Sequence, residues 1–322
     1  MTIGWQPTAS WSVLRQRALL LARCRDFFAA RGVMEVETPI LSRAAVPECH
    51  IEPLSCREAH QSRLLFLHTS PETAMKRLVA AGSGPIYQLC HVFRAGEVGA
   101  HHHPEFTMLE WYRPSWSWHQ LMAEVAELVS QLLDQPALSQ HPLPTMSYQQ
   151  ALLQYAGIDA WCHDRHVLGR GLAADQAAML GQLDHEDLLD WFWVDRVEPA
   201  LRQHHPALFI THFPAARAAM ARIDPSPPAT ACRFELYVHG VELANGYQEL
   251  TDAGEQQRRL VQANQQRQQQ GLSPLPLDQH FLAALAHGLP ECAGVALGFD
   301  RLMMLACGAE SIDQVMAFQI DS

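Results

Sequence analysis

Apolar positions recur along this chain in two periods, and the switches between them mark its elements. Over residues 11–31, Leu14, Ala18, Leu21, Ala22 and Phe28 recur at helical spacing, and Gly32 stops the helix they predict. Val33-Met34-Glu35-Val36-Glu37-Thr38-Pro39 then alternates as a strand does, with Pro39 limiting further pairing. Leu64–His68 is a short apolar strand, and Thr69-Ser70-Pro71-Glu72 opens a helix through about Ala81, ended by Gly82. Ile86–Arg94 and Phe106–Arg113 predict an antiparallel hairpin whose long tip, Ala95–Glu105, is rich in Gly and His. Residues 118–135 form an amphipathic helix, and residues 147–220 are mostly helical by pattern. Asp224-Pro225-Ser226-Pro227-Pro228 is a loop, and Arg233–Gly246 is a strand region ending at Asn245-Gly246. Residues 251–271 make a Gln-rich polar helix, most simply a solvated one. Gly294–Asp300 is a last strand running into a helix from Arg301. Strand hairpins packed with helices predict an α+β fold with a mainly antiparallel sheet. No internal repeat is visible.

Composition narrows the classes of function. With 322 residues, 48% of them apolar and 18% charged, the chain is globular and long enough for one generous domain or two modest ones. A formal charge of −11 argues against non-specific binding along nucleic acid, where Lys and Arg must neutralise phosphates. The eight cysteines contain no C-x-x-C pair and are scattered, which fits reduced thiols in a cytosolic protein better than a zinc site or disulfide framework. Residues 1–10 lack the apolar run of a signal peptide, and the Ala18–Ala22 run is too short to span a bilayer. The expectation is a cytoplasmic protein with no membrane partner.

Three segments carry candidate chemistry. In Phe106-Thr107-Met108-Leu109-Glu110-Trp111-Tyr112 a period of two puts Phe106, Met108, Glu110 and Tyr112 on one face, and Gln88, Cys90, Val92 and Arg94 share a face on the preceding strand. If the faces coincide, a guanidinium, a carboxylate and two aromatic rings line one surface, suited to a nucleotide and an amino acid. An ordinary amphipathic hairpin has the same alternation. In Glu242-Leu243-Ala244-Asn245-Gly246-Tyr247-Gln248-Glu249 the outer carboxylates have opposite strand parity. A turn or bulge at Asn-Gly would bring both to one side as a Mg²⁺ site, while a hairpin turn with solvent-facing carboxylates explains the string equally. In Gly294-Val295-Ala296-Leu297-Gly298-Phe299-Asp300-Arg301 the glycines allow close backbone approach to a ligand, and Arg301 stands at a strand–helix junction; the glycine spacing is not a dinucleotide fingerprint.

Taken together and in order, these pieces make the chain resemble the class II lysyl-tRNA synthetase catalytic domain, with its three motifs. Arg31–Pro39 matches motif 1; Phe93-Arg94 with His102–Tyr112 matches motif 2; Gly294–Arg301 matches motif 3. The likeness runs from about residue 12 to the C-terminus. Motif 1 begins near residue 31, so the expectation is a chain without the anticodon-binding barrel that precedes motif 1 in those synthetases. The chain is therefore most similar to the truncated paralogue family that ligates (R)-β-lysine to elongation factor P. Thr69-Ser70-Pro71-Glu72-x-x-x-Lys76-Arg77, Glu110–Pro114 and Glu242–Gly246 carry that resemblance.

The resemblance implies a single catalytic domain over residues 1–322, with a helical insertion at about 147–220, using ATP and Mg²⁺. Arg94 would hold the α-phosphate, Arg301 the γ-phosphate, and Phe106 would stack on adenine. Glu242 and Glu249 would hold Mg²⁺, with Glu249 also near the substrate amine, and the backbone around Leu243 and Gly298 would border the nucleotide. Ser70, Pro71, Glu72, Glu110, Tyr112 and Ala296 would line the pocket for (R)-β-lysine or lysine. His102 and His103 lie in the loop that meets ATP, although His101-His102-His103 also invites a metal reading, and Thr69-x-x-Glu72 is also a capping box. Two departures stand out: the synthetase pattern has Asn-Glu after the arginine where this chain has Ala95-Gly96-Glu97, and His103 replaces an Asn. Either Glu97 takes the displaced carboxylate's role or Gly96 contributes backbone alone. Ala296 and Ala244 stand where lysyl-tRNA synthetases have Gly, and the Ala296 methyl would favour a β-amino acid. The resemblance also implies a homodimer through motif 1, elongation factor P as the acceptor and no tRNA. The alternatives are tRNA charging and a non-catalytic regulatory paralogue.

Overall fold

A computed structural model describes residues 5–58, 63–135, 138, 142–168 and 183–320 of the chain. Along the first half run α1 (Trp11–Ala29), β1 (Met34–Glu35), β2 (Leu41–Ser42), β3 (Ser55–Arg57), β4 (Leu64–Leu67), α2 (Glu72–Ala80), β5 (Ile86–Phe93), β6 (Glu105–Pro114) and α3 (Trp118–Leu133). There follow β7 (Thr145–Ser147), α4 (Tyr148–Ala156), α5 (Arg165–Leu168), α6 (His185–Phe192), α7 (Glu198–His204), β8 (Ala207–Thr211), β9 (Ile223–Asp224) and β10 (Thr230–Ala231). The last elements are β11 (Arg233–Val238), β12 (Val241–Gln248), α8 (Ala253–Gln269), α9 (Gln279–Gly288), β13 (Cys292–Gly298) and α10 (Phe299–Cys307). An eight-stranded sheet in the order β1-β5-β6-β13-β12-β11-β8-β7 forms the centre. It is antiparallel except where the outermost strands, β1 and β7, run parallel to β5 and β8. The α+β expectation with a mainly antiparallel sheet holds.

Strand periodicity divides this sheet into a core face and a cleft face. Leu109 and Trp111 of β6, Val295 and Leu297 of β13, and Phe234 and Leu236 of β11 pack against Phe28 of α1, Val125 and Leu128 of α3, and Met303 of α10. The intervening residues of the same strands face the other way, into a cleft. Burial of so many apolar side chains on one face leaves the register no freedom, because a slip of one residue would exchange core for cleft. Gly246 keeps the strands in contact: a Cβ there would overlap the Phe234 ring and the Val295 side chain.

Several elements differ from their sequence expectation. The buried stripe of α1 is Leu20, Cys24, Phe27 and Phe28, not the Leu14–Phe28 set, and Ala18, Leu19 and Ala22 are exposed. Asn245-Gly246 is no turn: the hairpin turns at His239-Gly240, both at positive φ, and Asn245-Gly246 lies inside β12, paired on both sides. Within 147–220, β8 is a strand of the main sheet, a fully buried run that periodicity alone does not separate from helix. Residues 169–182 of that segment lie outside the described residues. Tyr148, Leu152, Leu189, Phe192 and Leu201 form a second core with Leu208, Ile210 and Tyr237, so the described part of the segment covers the cleft-side face of the sheet at β8 and the adjoining end of β11. The Gln-rich α8 is not merely solvated, since Arg267 and Gln256 are buried on it. No helix among the described residues is long and apolar enough to cross a membrane.

Candidate active site

The cleft has a volume of about 400 Å³ and its floor is the alternate face of β6, β13, β12 and β11. Cross-strand pairing sets it out in rows. Tyr112, Gly294, Tyr247 and Arg233 form one row; Glu110, Ala296, Asn245 and Glu235 form the next. Met108 and Gly298 begin a third, with Phe106 beyond. Val92, Cys90 and Gln88 pair with Phe106, Met108 and Glu110, so the two hairpin faces, left open by the sequence, do coincide.

One end of the cleft is an acidic pocket. Glu110, 3% exposed, accepts hydrogen bonds from Ser70 Oγ and Tyr112 Oη, each at 2.7 Å. Lys76 Nζ lies 2.6 Å from Glu72 and 2.5 Å from Glu249, with Lys76 and Glu249 both buried. Burial, then the charge of Glu72, pushes Glu110 up to about 8 against the hydrogen bonds from Ser70 and Tyr112. Burial likewise lifts Glu249 to about 7, although Lys76 opposes it. Burial disfavours the Lys76 charge, but Glu249 and Glu72 outweigh it and keep the ammonium protonated well above its ordinary range. Three carboxylates thus face one ammonium, an arrangement that attracts a further cation. Gly294 makes the crowding possible, because a Cβ there would overlap Glu249 and the Tyr112 ring. The capping-box reading of Thr69 and Glu72 fails: Pro71 is the N-cap of α2, Ser70 Oγ accepts from Glu72 N at 3.0 Å, and the Glu72 carboxylate goes to Lys76. Pro71 itself does not line the cleft; it turns the chain so that Ser70 and Glu72 do.

The other end is cationic and aromatic. The Arg94 guanidinium lies over the Phe106 ring, 5.0 Å from its centroid, and its Nη1 is 3.4 Å from Glu97. Arg94 Nε is buried without a hydrogen-bond partner, a donor lacking an acceptor. Gly96 sits at a φ of 78°, off the cleft, while Glu97 turns into it, so the displaced carboxylate reaches the arginine and Gly96 supplies the turn. Arg301, in the first turn of α10, donates to Glu242 O at 2.9 Å and His101 O at 3.2 Å and meets His102 Nε2 at 2.8 Å. Burial and then Arg301 lower the His102 pKa. His103 is buried with Nδ1 at 2.6 Å from Glu105 O. The His102 ring is thus committed to Arg301 and the His103 ring to the backbone, while His101 meets Arg301 through its carbonyl; no group of three or more metal-ligating side chains occurs among the described residues.

The shared Mg²⁺ site at Glu242 and Glu249 requires correction. A bulge does restore their parity, but it falls at Leu243, where Leu236 pairs with Ala244 and Tyr237 with Glu242. Both carboxylates therefore line the cleft, yet six strand rises separate them by roughly 20 Å. They belong to opposite ends. Glu249 is tied to Lys76, whereas Glu242, 3.5 Å from Arg301, offers a single carboxylate beside the cationic end. That suits an ion that takes one or two carboxylates and completes its shell with phosphate oxygens and water.

Sequence reasoning assigned no role to Lys76, Glu48, Arg233, Glu235 or Asp300, all in or against the cleft. Lys76 was legible as the i,i+4 partner of Glu72. Asp300 accepts from Thr107 N at 2.6 Å and pairs with Arg17 at 2.5 Å, binding α1, β6 and α10 together. Glu48 arrives on a loop with no sequence signal of its own.

A family model described as tRNA synthetases class II (D, K and N) matches residues 5–322. Proteins named elongation factor P–(R)-β-lysine ligase from Salmonella typhi, Salmonella paratyphi B and Salmonella paratyphi C are each 48% identical to the chain over 327 aligned positions. The alignments cover 99% of this chain and 98% of each relative.

Proposed function

Because the chain belongs to the class II tRNA synthetases of the D, K and N type, within the elongation factor P–(R)-β-lysine ligases, we propose that it activates (R)-β-lysine with ATP and joins it to a lysine side chain of elongation factor P. The observation that carries the reading is the acidic pocket: Glu72, Glu110 and Glu249 against Lys76, one cleft-length from the unpartnered Arg94 Nε. A substrate with two ammonium groups and one carboxylate matches it, cations toward the carboxylates and carboxylate toward the arginines.

ATP lies with adenine on Phe106, its α-phosphate at Arg94 and its terminal phosphate at Arg301. Phosphate oxygens supply the acceptor that Arg94 Nε lacks and compete for the Arg301 donors now turned to Glu242 O, His101 O and His102. Glu242 would hold Mg²⁺ there, and the ion supplies neutralisation of phosphate charge. Glu110, Glu249, Ser70 and Tyr112 hold the substrate amines, and the Ala296 methyl, one strand from Glu110, limits the space beside them. The substrate carboxylate attacks the α-phosphorus, pyrophosphate leaves, and Arg94 stabilises the charge that builds on the phosphoryl oxygens. Positioning supplies much of the rate, and no covalent enzyme nucleophile is needed. The acceptor lysine then displaces AMP.

A homodimer accords with apolar exposure around motif 1: Leu19, Met34, Ile40 and Leu41 are each at least 40% exposed, and β1 is an edge of the sheet. The deciding experiment is transfer of radiolabelled (R)-β-lysine, with ATP, to elongation factor P and in parallel to tRNA. Label on the protein alone is expected. Label on tRNA would replace the ligase reading with tRNA charging, and no activation of either lysine would leave a non-catalytic paralogue.

A further inference from the structure

Eight carboxylates line the cleft: Glu48, Glu72, Glu97, Glu110, Glu235, Glu242, Glu249 and Asp300. Seven have partners: Lys76 for Glu72 and Glu249, Arg94 for Glu97, Ser70 and Tyr112 for Glu110, Arg233 and Tyr237 for Glu235, Arg301 for Glu242, and Arg17 and Thr107 for Asp300. Among the described residues the Glu48 carboxylate has no hydrogen bond and no ion pair.

Glu48 does not reach the cleft by accident of a loose loop. Residues 43–54 form a strap between β2 and β3 that is pinned at several points. Arg267, fully buried on α8, donates to Glu48 O at 2.7 Å and to Glu52 Oε2 at 2.6 Å. Ala95 N donates to Glu52 O at 2.7 Å, tying the strap to the segment that carries Arg94. Ala45 N donates to Pro276 O at 3.3 Å. The charged groups facing Glu48 are Arg94 after β5, Glu72 of α2, Arg233 of β11 and His50 on the strap itself. Arg94 marks the phosphate end and Glu72 the amine end, and Glu48 lines the same cleft within the field of both, on the side where an adenylate held by the two would present its acyl carbon. Burial lifts its carboxyl above the usual carboxylate range, which suits a group that must take up a proton near neutrality.

We propose that Glu48 is the base that deprotonates the acceptor lysine in the ligation step, an assignment that rests on the ligase reading above. An acceptor amine with a pKa near 10.4 is only about one part in 10³ neutral at pH 7. Glu48 takes one proton from the ammonium. The freed lone pair attacks the acyl carbon, the C–N bond forms, and the C–O bond to the phosphate breaks with its electron pair leaving on AMP. The remaining extra N–H proton passes to water. The positive charge of the incoming ammonium also suits this unpaired carboxylate.

The test separates the two half-reactions in Glu48→Gln. Pyrophosphate–ATP exchange with (R)-β-lysine is expected to stay within about threefold of wild type, while transfer to elongation factor P at pH 7 falls by about 100-fold or more. Transfer by the variant should climb steadily as pH is raised, because the acceptor then deprotonates itself. Trapping of the adenylate by hydroxylamine, a nucleophile already neutral at pH 7, should match wild type. Glu48→Asp, which keeps a carboxylate on the strap, should recover part of the transfer. Unchanged transfer in Glu48→Gln, or a parallel loss of exchange, transfer and hydroxylamine trapping, would overturn the assignment. A wild-type protein that exchanges pyrophosphate yet labels no elongation factor P would instead overturn the ligase reading, and the assignment with it.

Discussion

A single side chain is held here at a protonation state the unfolded chain would not choose. Glu110 titrates at about 8 in the fold against its ordinary 4.5, because burial and Glu72 disfavour its charge. Between those values the folded state binds more protons than the unfolded one, so this group adds stability as pH falls and withdraws it as pH rises toward about 8. Glu110→Gln should therefore raise the melting temperature of the ligand-free protein at pH 8, by about 2–4 °C per kcal/mol relieved, while abolishing lysine-dependent pyrophosphate exchange. An equal or lower melting temperature at that pH would show that solvent reaches the carboxylate. Lys76→Met has the opposite sign: it strands Glu249 beside Glu72 without a counter-charge, and breaking a buried pair costs about 3–5 kcal/mol. Chemical denaturation reads this directly, and a loss below about 1 kcal/mol would mean the pair is not desolvated. Ala296→Gly should raise the kcat/KM for α-lysine relative to (R)-β-lysine; an unchanged ratio would remove the methyl from the account of specificity.

Among the elements, β12 carries the most consequence. Its bulge at Leu243 turns Glu242 and Glu249 to the same face, and its glycine admits Phe234 and Val295. Gly246→Ala should destabilise by about 1–3 kcal/mol through overpacking, with the substrate KM of the surviving folded fraction little changed. In β13, Gly294→Ala presses on Glu249 and Tyr112 instead, so the KM for the amino acid should rise while stability falls less. Equal effects of the two alanines on KM would mean the strands shift as one body.

At the scale of the whole molecule, the sheet buries one face under α1, α3 and α10 and gives the other to the cleft, with α4, α6 and α7 packed on that second face at β8. The exposed apolar residues of α1 and β1 lie on the flank remote from β8 in strand order. If the proposed homodimer forms through this flank, Leu19→Arg combined with Met34→Arg should leave a monomer in light scattering where the unaltered protein gives a dimer. A dimer that persists would place the interface elsewhere.

The sequence by itself determined the hairpin of β5 and β6, which residues of each strand share a face, the strand–helix junction at Arg301 and the α+β class. Each of these follows from local alternation and punctuation, which the backbone must obey wherever it lies. Only tertiary structure decided that Glu242 and Glu249 lie at opposite ends of the cleft, because parity says which face a residue takes and not how far apart two residues stand. It alone turned Asn245-Gly246 from a turn into strand interior, since the neighbouring strands on both sides claim its hydrogen bonds. It also made Arg267 of a Gln-rich helix the clasp of the Glu48 strap. Those residues are 219 apart in sequence, and no local pattern can report a contact between positions that only the fold brings together.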